Sequence, residues 1–123
     1  MAKDDYNRIV CIILTYLYAR LRGRTTEKPE AFLQPMTAAF PIEEGYFYFI
    51  LSEMSRKELI SGVEVLRAWG GEIVRCDISC IQITADGITY LMENAAMQTV
   101  LIWLRDHAIE LPGLVTTVLS LLK

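Results

Sequence analysis

The sequence contains little of what a metal centre or a nucleophilic enzyme requires. His107 is the only histidine, and Cys11, Cys76 and Cys80 form no CxxC pair. A structural zinc site needs four suitably spaced ligands, and a catalytic triad needs a histidine that a third group orients. We therefore expect no enzyme activity, no metal and no cofactor, and we interpret His107 as a surface residue near a helix end. The odd cysteine count also argues against a disulfide framework and for a reducing, cytoplasmic setting.

Long hydrophobic runs and an excess of basic charge are missing as well. The longest apolar run, from Ile9 to Ala19, has 11 residues, whereas a membrane helix needs about 20. Asp4 and Asp5 precede this run, where a signal peptide would carry positive charge. The net charge of −3 and the pI near 5.1 argue against non-specific nucleic-acid binding, but they leave local basic patches open. We expect no membrane contact, and nothing implies a small-molecule substrate.

Apolar residues, by contrast, are abundant. They make up 53% of the 123 residues, above the roughly 45–50% that is usual for soluble domains. The first helix, expected over Lys3 to Gly23, is apolar on more than one side, which is typical of a helix buried on several faces. We expect this helix to contact both its own core and a second subunit, so a homodimer is the predicted state.

The remaining periodicity predicts a mixed α and β chain. Pro29 suits the first turn of a short helix, and a further helix is expected from about Ile42 to Ser55. β-branched residues favour strands over Leu59 to Leu66 and about Ile78 to Ile83. Gly70 and Gly71 mark a bend between these strands.

The stretch "ITADGITYLMEN" predicts a helix that packs unusually closely. Thr84 is a suitable N-cap, and Ile83 and Ile88 suit a hydrophobic staple. Gly87 nevertheless occupies a helical position, where glycine is less favourable than alanine by about 1 kcal/mol. We infer that another backbone passes so close to position 87 that a β-carbon would collide with it.

This helix is expected to continue past Asn94, until Pro112 and Gly113 break the pattern. The order of helix, short helix, helix, β-hairpin and helix predicts an α+β winged-helix domain over residues 1–107. A C-terminal helical tail over residues 108–123 would serve dimerisation.

The chain resembles the YjcQ-like family of small winged-helix proteins from Gram-positive bacteria, phage and mobile elements. The resemblance lies in "AKDDYNRIVCIILTYLY" at the start, "LISGV" at 59–63 and "QITADGITYLMENAAM" at 82–97. It implies a winged-helix fold and a DNA-binding or phage-related regulatory role, and it implies no catalytic residues.

Two functions follow from this interpretation. The first is a DNA-binding protein, a transcriptional regulator of phage or mobile-element origin that contacts double-stranded DNA. The alternative is a non-catalytic protein-protein interaction module that does not bind DNA, because Glu43 and Glu44 at the start of the third helix would repel phosphates. The candidate contacts to DNA or to a partner are Tyr46, Tyr48, Ser52, Arg56, Lys57, Arg67, Trp69 and Arg75. The basic run "RLRGRTTEK" at 20–28 is interpreted as a dipole-matched helix end, with phosphate contacts as the functional alternative.

Overall fold

A computed structural model describes residues 2–107 of the chain, which form helices and short strands in an α+β arrangement. The elements are α1 (Ala2–Leu21), α2 (Pro29–Phe32), α3 (Glu44–Arg56), β1 (Ile60–Ser61), β2 (Glu64–Arg67), β3 (Ile73–Asp77), β4 (Gln82–Ile83), α4 (Ala85–Glu93) and α5 (Ala95–His107). The predicted tail, 108–123, lies outside the described residues, so the domain division at residue 107 stays a prediction.

The helix α1 forms the centre of the fold. Every residue from Ile9 to Ala19 is buried, and α3, α4, α5 and β4 all contact this helix. The expected burial on several faces is confirmed, and the covering elements belong to the same chain. The contact with a second subunit stays a prediction.

Gly23 ends α1 as the sequence predicted. Its φ of +72° is in the left-handed region, and its N–H donates to the carbonyl of Arg20 at 3.1 Å. The N–H of Arg24 donates to the carbonyl of Ala19 at 2.8 Å. These two bonds form a Schellman motif, which satisfies carbonyls that the helix end would otherwise leave unpaired.

A chain of aromatic contacts fixes α2 against α1 and α3. Tyr16 stacks on Phe32 with ring centroids 4.4 Å apart. Phe40 meets Phe32 edge-on at 5.6 Å and meets Phe47 of α3 at 5.1 Å. The short helix begins at Pro29, as predicted, because the fixed φ of proline suits a first helical turn.

The first predicted strand, Leu59 to Leu66, is divided into β1 and β2 at Gly62. This residue has a φ of +77°, and a β-carbon there would lie 1.9 Å from the carbonyl oxygen of Cys80. Only glycine tolerates both conditions, so the chain turns at this point. β1 then pairs with β4, and β2 pairs with β3, in two separate antiparallel sheets.

The second predicted strand, Ile78 to Ile83, was placed too late in the chain. The strand that pairs with β2 is Ile73–Asp77, and only Gln82–Ile83 of the predicted range is strand. The bend at Gly70 and Gly71 is confirmed within the β2–β3 hairpin. The difference arises because the turn at Gly62 divides the first strand in two. β2 pairs with residues 73–77 next to the bend, and β1 pairs separately with Gln82–Ile83.

Gly87 lies against another backbone, as its occurrence in a helix predicted. A β-carbon on Gly87 would lie 2.1 Å from the carbonyl oxygen of Leu59. That oxygen also accepts a hydrogen bond from the N–H of Thr84 at 3.1 Å. The Thr84 hydroxyl donates to the carbonyl of Glu58 at 2.6 Å and accepts from the N–H of Gly87 at 2.9 Å. The start of α4 is thus joined to the residues just before β1.

The prediction that this helix continues past Asn94 is wrong. Asn94 has an extended backbone with ψ of 127°, so α4 ends at Glu93 and α5 begins at Ala95. The Asn94 side chain accepts a hydrogen bond from the N–H of Met97 at 3.1 Å. Asparagine is a favoured N-cap, and here it starts a new helix whose residues Met97 and Leu101 are buried against the core.

The order of three helices followed by a hairpin is compatible with the predicted winged helix. Within the described residues α2 has only four residues, which is short for the second helix of a helix-turn-helix. Residues 2–107 form an α+β fold with two small antiparallel sheets.

Candidate partner interface of α3 and the hairpin

The outward side of α3 and the β2–β3 hairpin form one surface, which we call the α3–hairpin surface (residues 43–77). α3 buries Phe47, Ile50, Leu51 and Met54 on its inner side. The helical repeat of 3.6 residues therefore turns Gly45, Phe49, Ser52 and Arg56 outward. This helix occupies the range predicted for it to within two residues at its start and one at its end.

The two candidate tyrosines lie on different sides of α3. Tyr48 donates from its hydroxyl to the Glu44 carboxylate at 3.3 Å. Burial, and then the charge of that carboxylate, raises the pKa of Tyr48 above its ordinary value. Tyr46 instead stacks on Phe49 with centroids 6.4 Å apart. Burial, and then the charge of Asp5 in α1, raises the pKa of Tyr46.

Ser52 and Arg67 are brought together by the tertiary structure. One guanidinium nitrogen of Arg67 donates to the carbonyl of Gly71 at 2.9 Å, and the other donates to the Ser52 hydroxyl at 3.4 Å. Arg67 therefore joins the hairpin to α3. Arg75 of β3 lies near Tyr48, and both residues line a cleft of about 320 Å³.

Arg56 and Lys57 are engaged by neighbouring side chains at the end of α3. Arg56 makes two hydrogen bonds to the Glu53 carboxylate, at 2.6 and 3.3 Å. This hydrogen bonding lowers the pKa of Glu53. The Lys57 ammonium lies 6.0 Å from the ring centroid of Tyr6 in α1. Arg56 thus has its charge balanced locally and is a weak candidate for a phosphate contact.

Trp69, at the bend of the hairpin, is fully exposed. The contact candidates included Trp69 but left out three other exposed apolar residues of α3 and the hairpin. Leu66 is 55% exposed, Val74 is 53% exposed and Phe49 is 48% exposed. The exposure of Leu66 could have been predicted from its position on the outer side of the strand, because side chains alternate between the two sides of a strand. The signal for Phe49 was its place outside the apolar stripe of α3.

Acidic residues dominate the charge of this surface. Residues 43–77 contain seven carboxylates and four basic side chains, so they carry a net charge of −3. The rest of the chain is formally neutral, because the whole chain also carries −3. The surface predicted to contact DNA therefore belongs to a segment with a net negative charge.

The basic run at residues 20–28 lies elsewhere. It begins in the last turn of α1, whereas α3 contacts α1 near Tyr6. The helical rise places Arg20 roughly 21 Å along α1 from Tyr6. The run thus lies at the opposite end of α1 from the contact between Lys57 and Tyr6.

Residues 2–107 also show whether a metal site or a membrane-spanning helix is present. That part of the chain contains no group of three or more His, Cys, Asp or Glu residues that could hold a metal ion. None of its helices has the length and apolar character that crossing a membrane requires.

Comparison with known proteins gives a family and nothing more specific. The family model described as YjcQ protein matches residues 12–106, which cover α1 from Ile12 to the last turn of α5. No curated protein and no solved structure matches the chain. Because the match covers most of the chain, the predicted resemblance is confirmed, and the chain belongs to the YjcQ protein family.

Proposed function

We propose that this protein is a non-catalytic interaction module with a winged-helix fold, and that its α3–hairpin surface binds another protein. α3 would be the recognition helix and the β2–β3 hairpin would be the wing. The bond between Arg67 and Ser52 supports this assignment, because it fixes the hairpin beside the third helix.

The exposed apolar group on an acidic hairpin carries the proposal. Leu66, Trp69 and Val74 are all more than half exposed, and Glu64 and Glu72 lie on the same hairpin. Burying one such aliphatic side chain contributes about 1.5–3 kcal/mol. Tryptophan is among the most frequent anchors of protein interfaces. A protein with an apolar pocket and a basic rim would complement this surface.

Duplex DNA is the second candidate, and the hairpin arginines favour it. Arg67 and Arg75 are exposed, and neither forms an ion pair within the described residues. Such a protein would serve as a transcriptional regulator of phage or mobile-element origin. The net charge of −3 over residues 43–77 opposes this candidate, since each phosphate contact needs local positive charge.

One set of variants separates the two candidates. Trp69→Ala removes the apolar anchor, and Arg67→Glu with Arg75→Glu reverses the hairpin charge. Met36→Ala, which changes an exposed apolar residue between α2 and α3, is the matched control. Each protein is used for capture from the native host at low and high salt, and for anisotropy titration with a labelled duplex of random sequence.

For a protein partner we expect capture that withstands salt, fails with Trp69→Ala and persists with Met36→Ala. Duplex binding that falls steeply with salt and disappears in the double arginine variant would overturn the proposal in favour of DNA. Capture that Trp69→Ala leaves unchanged would also contradict it.

The proposal also includes a cytoplasmic location and a homodimeric state. Cys11, Cys76 and Cys80 are free thiols, and an exposed thiol such as that of Cys80 suits a reducing compartment. The homodimer rests on the apolar content of the sequence. Analytical ultracentrifugation at micromolar concentration should show a dimer, and a monomer there would exclude it.

A further inference from the structure

The positive charge of this acidic protein is concentrated in one segment that the proposed function does not use. Residues 20–28, which we call the arginine turn, contain Arg20, Arg22, Arg24 and Lys28 against the single acid Glu27, a net charge of +3. The rest of the chain therefore carries −6. The ion pairs of the described residues involve other side chains, so the charge of this turn is not neutralised by them.

Hydrogen bonds connect the arginine turn to α1 near both of its ends. Its first half contains the Schellman motif at Gly23, which joins it to the end of α1. Its second half is fixed where the Tyr16 hydroxyl donates to the carbonyl of Glu27. The guanidinium of Arg22 donates to the Tyr18 hydroxyl at 3.0 Å. A turn that is fixed in this way loses little conformational entropy when it binds a ligand.

A cleft of about 420 Å³ lies between the arginine turn and β4. The residues with polar side chains that line it are Arg20, Thr25, Thr26 and Gln82. The apolar residues that line it are Leu17, Leu21, Ile81 and Ile83. The volume is within the range of about 300–1,000 Å³ that is usual for small-molecule sites.

We propose that this cleft binds a phosphate monoester that carries an apolar or planar group. A guanidinium matches the geometry of phosphate oxygens, and hydroxyl and amide groups supply further donors. The apolar lining residues, such as the exposed Leu21, would contact the organic part of the ligand. Arg22 and Arg24, on the same turn, would raise the local concentration of anions. The phosphate could belong to a free organic phosphate or to the end of a nucleic-acid strand, because both present the same group.

The test is a titration of the whole chain with phenyl phosphate, followed by NMR of the backbone amides. We expect saturable shifts at Thr25, Thr26 and Gln82, with a Kd of about 1 mM or tighter. Inorganic phosphate should bind more weakly because it has no organic group to contact the apolar lining residues. A 5′-phosphorylated oligonucleotide that binds more tightly than phenyl phosphate would identify nucleic acid as the source, and the reverse order would identify a free organic phosphate.

Arg20→Gln is the decisive variant, and Arg105→Gln is its control. Arg20 is exposed, so its replacement should leave the fold intact, which a thermal melt verifies. Arg20→Gln should weaken binding by about tenfold or more, since a hydrogen bond to a charged group is lost. Arg105, on α5, pairs with Asp106, so its replacement should leave the affinity unchanged. The proposal is overturned if no saturable shift occurs up to about 10 mM, or if Arg20→Gln binds as the wild type does.

Discussion

Replacing Gly87 with alanine tests the closest backbone contact of the fold. The added β-carbon would lie 2.1 Å from the carbonyl oxygen of Leu59 and 2.8 Å from a side-chain carbon of Ile83. Relief of the first contact requires the start of α4 to move away from β1 by more than 1 Å, because ordinary contacts begin near 3.4 Å. That movement would break the bond from the Thr84 N–H to the same carbonyl.

The expected change in the free energy of unfolding follows from two unfavourable contributions and one favourable contribution. Overpacking costs about 1–3 kcal/mol, and the lost hydrogen bond costs about 1 kcal/mol. Alanine recovers about 1 kcal/mol through its higher helix propensity. We therefore expect Gly87→Ala to lower the free energy of unfolding by about 1–3 kcal/mol. This is a large share of the roughly 5–15 kcal/mol of a typical domain.

Gly45→Ala is the matched control, since Gly45 is also in a helix but has nothing within 4 Å of its would-be β-carbon. In this variant only the higher helix propensity of alanine contributes, so we expect the free energy of unfolding to rise by up to about 1 kcal/mol. Urea denaturation followed by circular dichroism measures both variants. Equal shifts in the same direction would show that Leu59 and Gly87 are not in close contact, and the reasoning would fail.

Three further predictions concern single side chains. Thr84→Val removes the hydroxyl that caps Gly87 at 2.9 Å and should lower the free energy of unfolding by about 1–2 kcal/mol in urea, whereas Thr84→Ser should keep most of it. Asn94→Ala removes the acceptor for the Met97 N–H and should cost about 1 kcal/mol in the same assay, with Asn94→Asp close to wild type. Burial raises the pKa of Cys11 to about 12. Its contribution to stability is therefore complete below the pKa of the unfolded thiol, about 8.5, and is lost as pH rises towards 12. Urea titrations from about pH 8 to pH 11 should show a steeper loss for wild type than for Cys11→Ala, and parallel curves would contradict this assignment.

Local sequence determined where most helices begin and end and which residues are buried. The uninterrupted apolar run in α1 predicted its complete burial, because no side of that helix suits water. Pro29 and Gly23 marked helix boundaries through their own backbone preferences. Gly87 predicted a close backbone contact without identifying it, since only steric exclusion explains glycine in that helical position.

Some features of the candidate surface also follow from the sequence alone. Tyr46 and Tyr48 are two residues apart, so the helical repeat directs them to different sides of α3. The same repeat turns Phe49 outward. These assignments needed only the position of the apolar stripe.

Tertiary structure alone decided the strand pairing and the partners of the charged groups. The turn at Gly62 depends on the carbonyl of Cys80, 18 residues later, and the contact of Arg67 with Ser52 spans 15 residues. The break at Asn94 likewise follows from packing, because α4 and α5 each direct apolar residues at α1. Hydrophobic periodicity indicates which face of a helix or strand is buried, but it does not identify the residues that this face contacts. Contacts between distant residues are fixed only when the elements pack together and exclude water.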